Sequence, residues 1–348
     1  MSVESVLQRI WYGPAWLGLP LWPLSLVFRL LVSLRRGLYR SGILRSHRVP
    51  VPVVVVGNLT VGGTGKTPIA LWLGRQLQRR GHQVGIVLRG YGARHSGAPR
   101  VVTAADDAVE VGDEALLHAR GGPHVVVIGA DRVAAARLAV EQGARIVVCD
   151  DGLQHRRLAR DYEIAVVDAA RGLGNGHLLP AGPLREPRGR LERVDAIVVT
   201  DRGGEPGAIS KVQPTGPLVA VARFRTGDAV NLLTAERRPL AGFRDSPVHA
   251  VAGIGHPQAF FTALRAAGIE ITAHALPDHA RLDAAALPFP TGTTVLMTEK
   301  DAVKCHGYAQ PGWWWVDLEV SIDRTTAEQL LTLVLERARL TGAGVRLG

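Results

Sequence analysis

Lysine is scarce in this chain of 348 residues. Lys66, Lys211, Lys300 and Lys304 are the whole supply, although lysine and arginine together number 41. The net charge of +10 is therefore an arginine charge. A basic balance points to acidic partners, but the arginines are spread along the chain and no nucleic-acid module accompanies them, so a nucleic-acid partner is not expected. Cysteine is equally sparse, with Cys149 and Cys305 alone. Two thiols make no disulfide framework, which fits a reducing compartment and leaves stability to packed cores. Internal repeats and low-complexity tracts are missing. With 47% hydrophobic and 21% charged residues, the length suits one large domain or two ordinary ones.

A clean membrane-spanning run is also lacking. Residues 15–34 have the ~20-residue length that a span needs, but Pro20, Pro23 and Arg29 interrupt them. Proline kinks a helix interior, and a charge at mid-bilayer is costly. Trp11, Trp16 and Trp22 cluster here with Tyr12 and Tyr39, and Arg35, Arg36, Arg40, Arg45 and Arg48 follow. Residues 1–48 therefore read as a membrane-associated helical segment lying in or partly entering the interface. Its tryptophans would sit at headgroup depth and its arginines on anionic lipid. The charge cluster follows the apolar region, which argues against a cleaved signal peptide. If the stretch does span, positive-inside orientation puts the body on the cytoplasmic side.

Beyond residue 49, short apolar runs alternate with helical stretches. Strands are expected at 52–56, 84–88, 125–128, 146–149, 164–167 and 196–199, with helices at 69–80 and 131–142 among them. Runs that are apolar throughout belong to strands covered on both faces, the mark of a largely parallel sheet. Glycine, proline and serine gather at 202–216, a plausible linker. A second set follows at 218–222, 248–252, 294–297 and 314–318, then a helix at 325–340. The fold class is α/β: a phosphate-loop three-layer α/β/α domain at 49–205, a second, smaller α/β domain at 206–348, and the N-terminal membrane-associated helix.

The strand at 53–56 runs into Gly57-Asn58-Leu59-Thr60-Val61-Gly62-Gly63-Thr64-Gly65-Lys66-Thr67-Pro68. Glycines let backbone N–H groups turn around phosphate oxygens, and the next helix presents its positive end. Thr60, Val61, Gly62, Gly63, Thr64, Gly65, Lys66 and Thr67 are the nucleotide-binding residues. Lys66 reaches the β- and γ-phosphates of ATP, and the Thr67 hydroxyl ligates Mg²⁺. The strict pattern wants glycine where Thr60 stands. The Gly-Gly-x-Gly-Lys-Thr core resembles the deviant loops of partition ATPases and nitrogenase iron proteins. Those carry a second lysine where this chain has Val61, which counts against their dimer mechanism. The strand at 146–149 ends in Asp150-Asp151-Gly152. Carboxylates there suit Mg²⁺, directly or through water; Asp168 ends the next strand in a similar way.

Several segments together resemble one family, the tetraacyldisaccharide 4′-kinases of lipid A synthesis. Besides the loop and the acidic pair, which continues as Leu153-Gln154-His155, they are Arg89-Gly90-Tyr91-Gly92, Gly112-Asp113-Glu114, the stretch 179–187, Ala252-Gly253-Ile254-Gly255, Pro277-Asp278-His279 and Thr298-Glu299-Lys300-Asp301-Ala302-Val303-Lys304. The resemblance implies transfer of the ATP γ-phosphate to the 4′-hydroxyl of an acylated glucosamine disaccharide 1-phosphate. The location it implies is the cytoplasmic face of a bacterial inner membrane, with the active site between two domains. By the same resemblance Asp113 is the catalytic aspartate and His279 the histidine coupled to it, working beside Lys66. Glu114, Arg132, Gln154, His155, Arg185 and Glu186 fall on matched polar motifs and are assigned to substrate, the arginines to its phosphates. The chain departs from the family pattern at Ala115 and at 280–282. A competing reading is a membrane-associated ATPase switch, which would hydrolyse ATP without any sugar lipid.

Overall fold

The computed structural model describes residues 3–202, 216–277, 280, 282 and 287–342. The expected linker falls mostly, and His279 wholly, outside the described residues.

Prolines decide the shape of the N-terminal arm. Helix α1 (Val3–Tyr12) is followed by a 3-10 turn (Ala15–Leu21) that absorbs Pro20, and by α2 (Trp22–Arg40), where Pro23 sits in the first turn. The first turn is where a missing N–H does no harm. The expected kink is thus a change of helix type. Polar bonds bolt the arm to the body. Ser25 Oγ donates to Leu178 O at 2.8 Å and accepts from Ala181 N at 3.0 Å, and Asn175 Nδ2 donates to Ile10 O at 3.1 Å. Trp11 departs from the headgroup expectation: it is buried, and its indole N–H donates to Pro180 O at 2.9 Å. Trp16 and Trp22 are exposed, as are Val27, Leu30, Leu31 and Leu34. Ala15–Arg40 is long and apolar enough to cross a membrane.

The body is built on one sheet. Its strands in chain order are β1 (Val53–Gly57), β2 (Val84–Leu88), β3 (Arg100–Val102), β4 (Val125–Ile128), β5 (Ile146–Asp150), β6 (Tyr162–Asp168) and β7 (Ala196–Asp201), then β8 (Leu218–Asn231), β9 (Arg237–Arg238), β10 (Val248–Ala252), β11 (Ile271–Ala275), β12 (Val295–Thr298) and β13 (Trp313–Ile322). The helices are α3 (Lys66–Arg79), α4 (Ala108–Val111), α5 (Asp113–Gly121), α6 (Arg132–Glu141), α7 (Pro257–Ala266), α8 (Glu299–Cys305) and α9 (Arg324–Gly342). Their order across the sheet is β11-β10-β12-β13-β8-β7-β6-β1-β5-β2-β4-β3, with β9 beside β8. Neighbours run parallel except β8 with β13, β8 with β9 and β3 with β4. The long apolar runs landed as expected, while the short β3, β9 and β11 lacked such a run and went unread.

In β1 every residue is buried, Val54 and Val56 in the core on one face and Val53 and Val55 in the core on the other. Each such valine contributes about 1.5–3 kcal/mol by leaving water. The halves of the sheet meet in β8. Its first residues pair in parallel with β7, and from Ala222 onward it pairs antiparallel with β13. Leu330, Leu331 and Val334 of α9 return to the core over β6, β7 and β8.

Candidate active site between the sheet halves

A cleft of about 1310 Å³ lies where the two halves face each other. One wall is the phosphate loop. Gly57 ends β1 tightly against Leu153, where an added Cβ would stand 2.8 Å from the leucine side chain. The loop is held from outside: Val61 N donates to Pro183 O at 2.9 Å, Thr200 Oγ1 to Thr64 O at 2.9 Å, and Gln154 Nε2 to Asn58 O at 3.0 Å. Gly65 has φ +87, and an added Cβ would meet the Phe224 ring at 2.7 Å. No hydrogen bond from the N–H groups of Gly62, Gly63, Thr64 and Gly65 occurs among the described residues, and the buried Thr64 hydroxyl also lacks a partner. A row of unspent donors ahead of a helix is what a polyphosphate accepts.

The acidic pair follows at the end of β5. Asp150 is buried beside His118, whose Nε2 lies 3.1 Å from Oδ2, while Oδ1 has no partner. That orphaned oxygen fits a metal or metal-bound water. Among the described residues no cluster of three or more histidine, cysteine or acidic side chains forms a cage. Nucleotide-bound Mg²⁺ needs only one or two protein ligands, because phosphates and waters supply the rest. Asp151 faces Lys66 at 3.9 Å and Arg185 at 3.1 Å. Burial pushes its carboxyl up, but Lys66 and Arg185 outweigh that and hold it below the usual range. Asp168 proves to be a turn residue: its Oδ1 accepts from Ala170 N and Arg171 N, both at 3.0 Å.

Arg132 is buried with its Nε unpaired, and the Arg185 Nε is likewise buried without a partner. Both side chains line the cleft, as do Gln154 and His155. Burial first, then the Arg132 charge, takes the His155 pKa down to about 4. At neutral pH it is an uncharged hydrogen-bonding ring. Glu114 also lines the cleft. Burial and the charges of Asp150 and Asp113 raise its pKa against the pull of Lys300 and Lys66.

Asp113 stands just behind Glu114 as the first residue of α5, entered through Gly112 at φ +87. Its Oδ1 accepts from Glu114 N at 2.9 Å, and its Oδ2 lies 3.7 Å from both Lys300 and Lys304. Those lysines come from α8 in the other half, so the carboxylate is gripped where the two halves touch beside the cleft. Asp301 anchors α8. Fully buried, it accepts from Gly253 N at 2.8 Å and Thr298 Oγ1 at 2.6 Å, and it pairs with Lys304 at 3.3 Å.

The structure thus brings together Val61 to Thr67, Glu114, Arg132, Asp150, Asp151, Gln154, His155 and Arg185 around one cleft. Thr60, Asp113 and Glu186 lie outside its lining, Asp113 directly behind the lining residue Glu114. Thr60 is buried, bridged to Leu184, and Glu186 is buried in ion pairs with Arg156 at 2.9 Å and Arg190 at 3.5 Å. Sequence reasoning gave no role to His118 or Arg202, and quoted Lys300 and Lys304 in a matched motif without assigning them one. Arg202, read only as the start of a linker, lines the cleft, lies over the Phe224 ring at 5.5 Å and reaches Gly63 O at 3.5 Å. The lysines carried a signal, since an arginine-rich chain keeps lysine at so few places.

Residues 17–336 match the family model of LpxK, tetraacyldisaccharide-1-P 4′-kinase. The chain belongs to the tetraacyldisaccharide 4′-kinase family. A Pseudomonas paraeruginosa member is 47% identical over 324 residues, covering 92% of this chain and 94% of its own. A Nitrosococcus oceani member is 42% identical over 342 residues, covering 97% and 96%. The crystal structure of LpxK from Aquifex aeolicus in complex with ATP superposes with a TM-score of 0.80 at 31% identity, over 92% of this chain and 99% of that one. The chain is therefore a kinase of lipid A synthesis that uses ATP, and its loop and fold are those of this family.

Proposed function

We propose that this kinase moves the γ-phosphate of ATP to the 4′-hydroxyl of a tetraacylated glucosamine disaccharide 1-phosphate, giving the bisphosphorylated lipid. The observation that carries the reading is the cleft itself. Unspent donors of Gly62 to Gly65 stand on one wall, and Asp113 is held beside it by lysines from the other half. Asp113 takes the proton from the sugar hydroxyl, the freed oxygen attacks the γ-phosphorus, and the bond to the bridging oxygen breaks to release ADP. His279 is the partner assigned to orient Asp113. Lys66 follows the charge on the transferring group, and Lys300 stands ready on the opposite side. Thr67 with Asp150 and Asp151 would hold Mg²⁺, which neutralises charge on the β- and γ-phosphates.

Arg132 and Arg185, each with an unpaired buried Nε, are the phosphate-recognising arginines, and Gln154, neutral His155 and Glu114 face the sugar. Glu186, assigned to substrate by its motif, acts indirectly, by fixing Arg156 and Arg190. Thr60 and Val61 set the entry of the loop. Residues 1–48 lay the exposed face of α2 on the cytoplasmic leaflet of the inner membrane, where an acylated acceptor resides. Segments 49–205 and 206–348 act as the two units that flank the cleft.

The test is direct. Protein in detergent is given γ-labelled Mg-ATP and the acylated disaccharide 1-phosphate. Label should appear in the lipid. Label released only as inorganic phosphate would reject acceptor phosphorylation and favour an ATPase switch.

A further inference from the structure

A second, smaller pocket of about 420 Å³ opens at the C-terminal end of α2, and none of its lining residues belongs to the cleft. Six arginines line it: Arg36 and Arg40 from α2, Arg156 and Arg160 from the loop after β5, and Arg190 and Arg193 from the 3-10 turn Arg188–Arg193. Three far-apart segments therefore converge on one concavity. Glu163 is the only carboxylate in the lining. It is taken up by Arg160 at 3.1 Å and Arg190 at 2.5 Å, and Glu186 behind it by Arg156. Arg36, Arg40 and Arg193 make no ion pair among the described residues. The cluster keeps a surplus of four positive charges after both glutamates are counted. Burial and then the charges of Arg156, Arg40 and Arg193 press the Arg36 pKa down, with Glu186 opposing. Like charges held this close wait for an anion.

The pocket is built rather than incidental. Arg190 is 6% exposed and is fixed in place by Glu163 at 2.5 Å and, through its Nε, by Glu186 at 3.5 Å. The chain after α2 is pinned to the body by Ser46 Oγ donating to Arg156 O at 2.7 Å, His47 N to Arg157 O at 2.7 Å and Ala159 N to His47 O at 2.9 Å.

We propose that this pocket binds the phosphate of an anionic membrane phospholipid, at a site separate from the kinase cleft. The geometry favours a lipid over a free anion. Leu30, Leu31 and Leu34 are exposed on the same helix. At 3.6 residues per turn Arg36 and Arg40 lie on the side of α2 away from these leucines, so with the leucines set among acyl chains the arginines stand about 10 Å higher, one helix diameter, at the level of headgroup phosphates. Arginine forks suit phosphate oxygens better than single ammonium charges do. The proposal rests on the membrane reading of the N-terminal arm and adds a headgroup site to it.

The test uses the full chain and vesicle flotation at fixed ionic strength. Vesicles are phosphatidylcholine alone or phosphatidylcholine with phosphatidylglycerol. The proteins are wild type, the triple variant Arg36→Ala/Arg40→Ala/Arg193→Ala, and a charge-matched control, Arg137→Ala/Arg145→Ala/Arg324→Ala, whose arginines are exposed elsewhere. Wild type should bind both vesicles and prefer the anionic ones. The pocket variant should lose about ten- to a hundredfold of binding to anionic vesicles, keep its binding to neutral ones, and keep its KM for the acceptor in neutral micelles. The control should keep the preference.

Equal loss in the control would mean diffuse electrostatics and would overturn the site. Loss of neutral binding by the pocket variant, or a raised acceptor KM, would overturn it in favour of a structural role or an acceptor subsite. Wild type that binds neutral vesicles without an anionic preference would reject the pocket while leaving the membrane reading intact. Wild type that binds no vesicle would reject both. In a second arm, phosphatidylglycerol vesicles should shield Arg36 and Arg193 from phenylglyoxal. Equal shielding by inorganic phosphate alone would make the pocket a free-anion site.

Discussion

The strands β1 to β7 and the strands β10 to β13 both lead toward the cleft, but they equip it differently. The first half supplies backbone: a glycine loop, a helix start and the carboxylates that end β5. The second half supplies lysine and almost no loop chemistry, through α8. Asp113 belongs to the first half by sequence and to the second by its charge partners, Lys300 and Lys304. Nucleotide binding should therefore be a property of one half, and turnover a property of both.

The largest expected effect comes from separating those two. Asp113→Ala should lower kcat by about 10²–10⁴-fold while ATP affinity survives. Lys66→Ala should cost about 10²–10³-fold in kcat and weaken ATP as well. Steady-state kinetics with equilibrium nucleotide binding will check the pair. If Asp113→Ala lost ATP affinity as badly as Lys66→Ala, the division between halves would be wrong.

Next is the contact that couples the halves at the loop. In Gly65→Ala the new methyl would press on Phe224 at a left-handed φ. Overpacking and the backbone strain together should cost about 2–4 kcal/mol, seen as a lower Tm and weaker ATP binding. Phe224→Ala in the same chain should recover the steric part only. No recovery would mean that backbone strain alone decides.

A smaller effect concerns Glu299 at the start of α8. Burial, followed by the charge of Asp317, raises its pKa to about 7. A carboxyl whose folded pKa exceeds its unfolded value favours the fold below the unfolded pKa and loses that contribution as pH rises through the folded one. Wild type should therefore lose stability relative to Glu299→Gln between about pH 4.5 and 7. Denaturant melts of both proteins at pH 5 and pH 8 will show whether the gap opens in favour of glutamine. The same melts on Leu30→Glu should differ from wild type by less than about 0.5 kcal/mol, as for a surface site, because that leucine is 68% exposed.

Much of the fold was legible. Val84–Leu88 and Val125–Ile128 form strands at the positions their apolar runs marked, because a strand covered on both faces needs a continuous run. The glycine loop was legible for the same local reason: its chemistry lies within a dozen consecutive residues. Trp11 was misread because composition alone cannot distinguish a tryptophan at headgroup depth from one donating to Pro180 O. Arg202 and His118 were missed because each acts on a partner distant in sequence, Gly63 and Asp150 respectively.

The amino-acid sequence by itself determined the periodicity of the elements, the phosphate loop and the family. Those depend on neighbours along the chain and on motifs in order. Only the tertiary structure decided which individual side chains of the arm are buried. Trp11 is buried while Trp16 and Trp22 are exposed, although all three stand in the same aromatic cluster of the sequence. It also decided that Lys300 and Lys304 face Asp113, and that six arginines share a pocket. Burial and charge pairing are set by the distance between elements remote in sequence, and only packing fixes that distance.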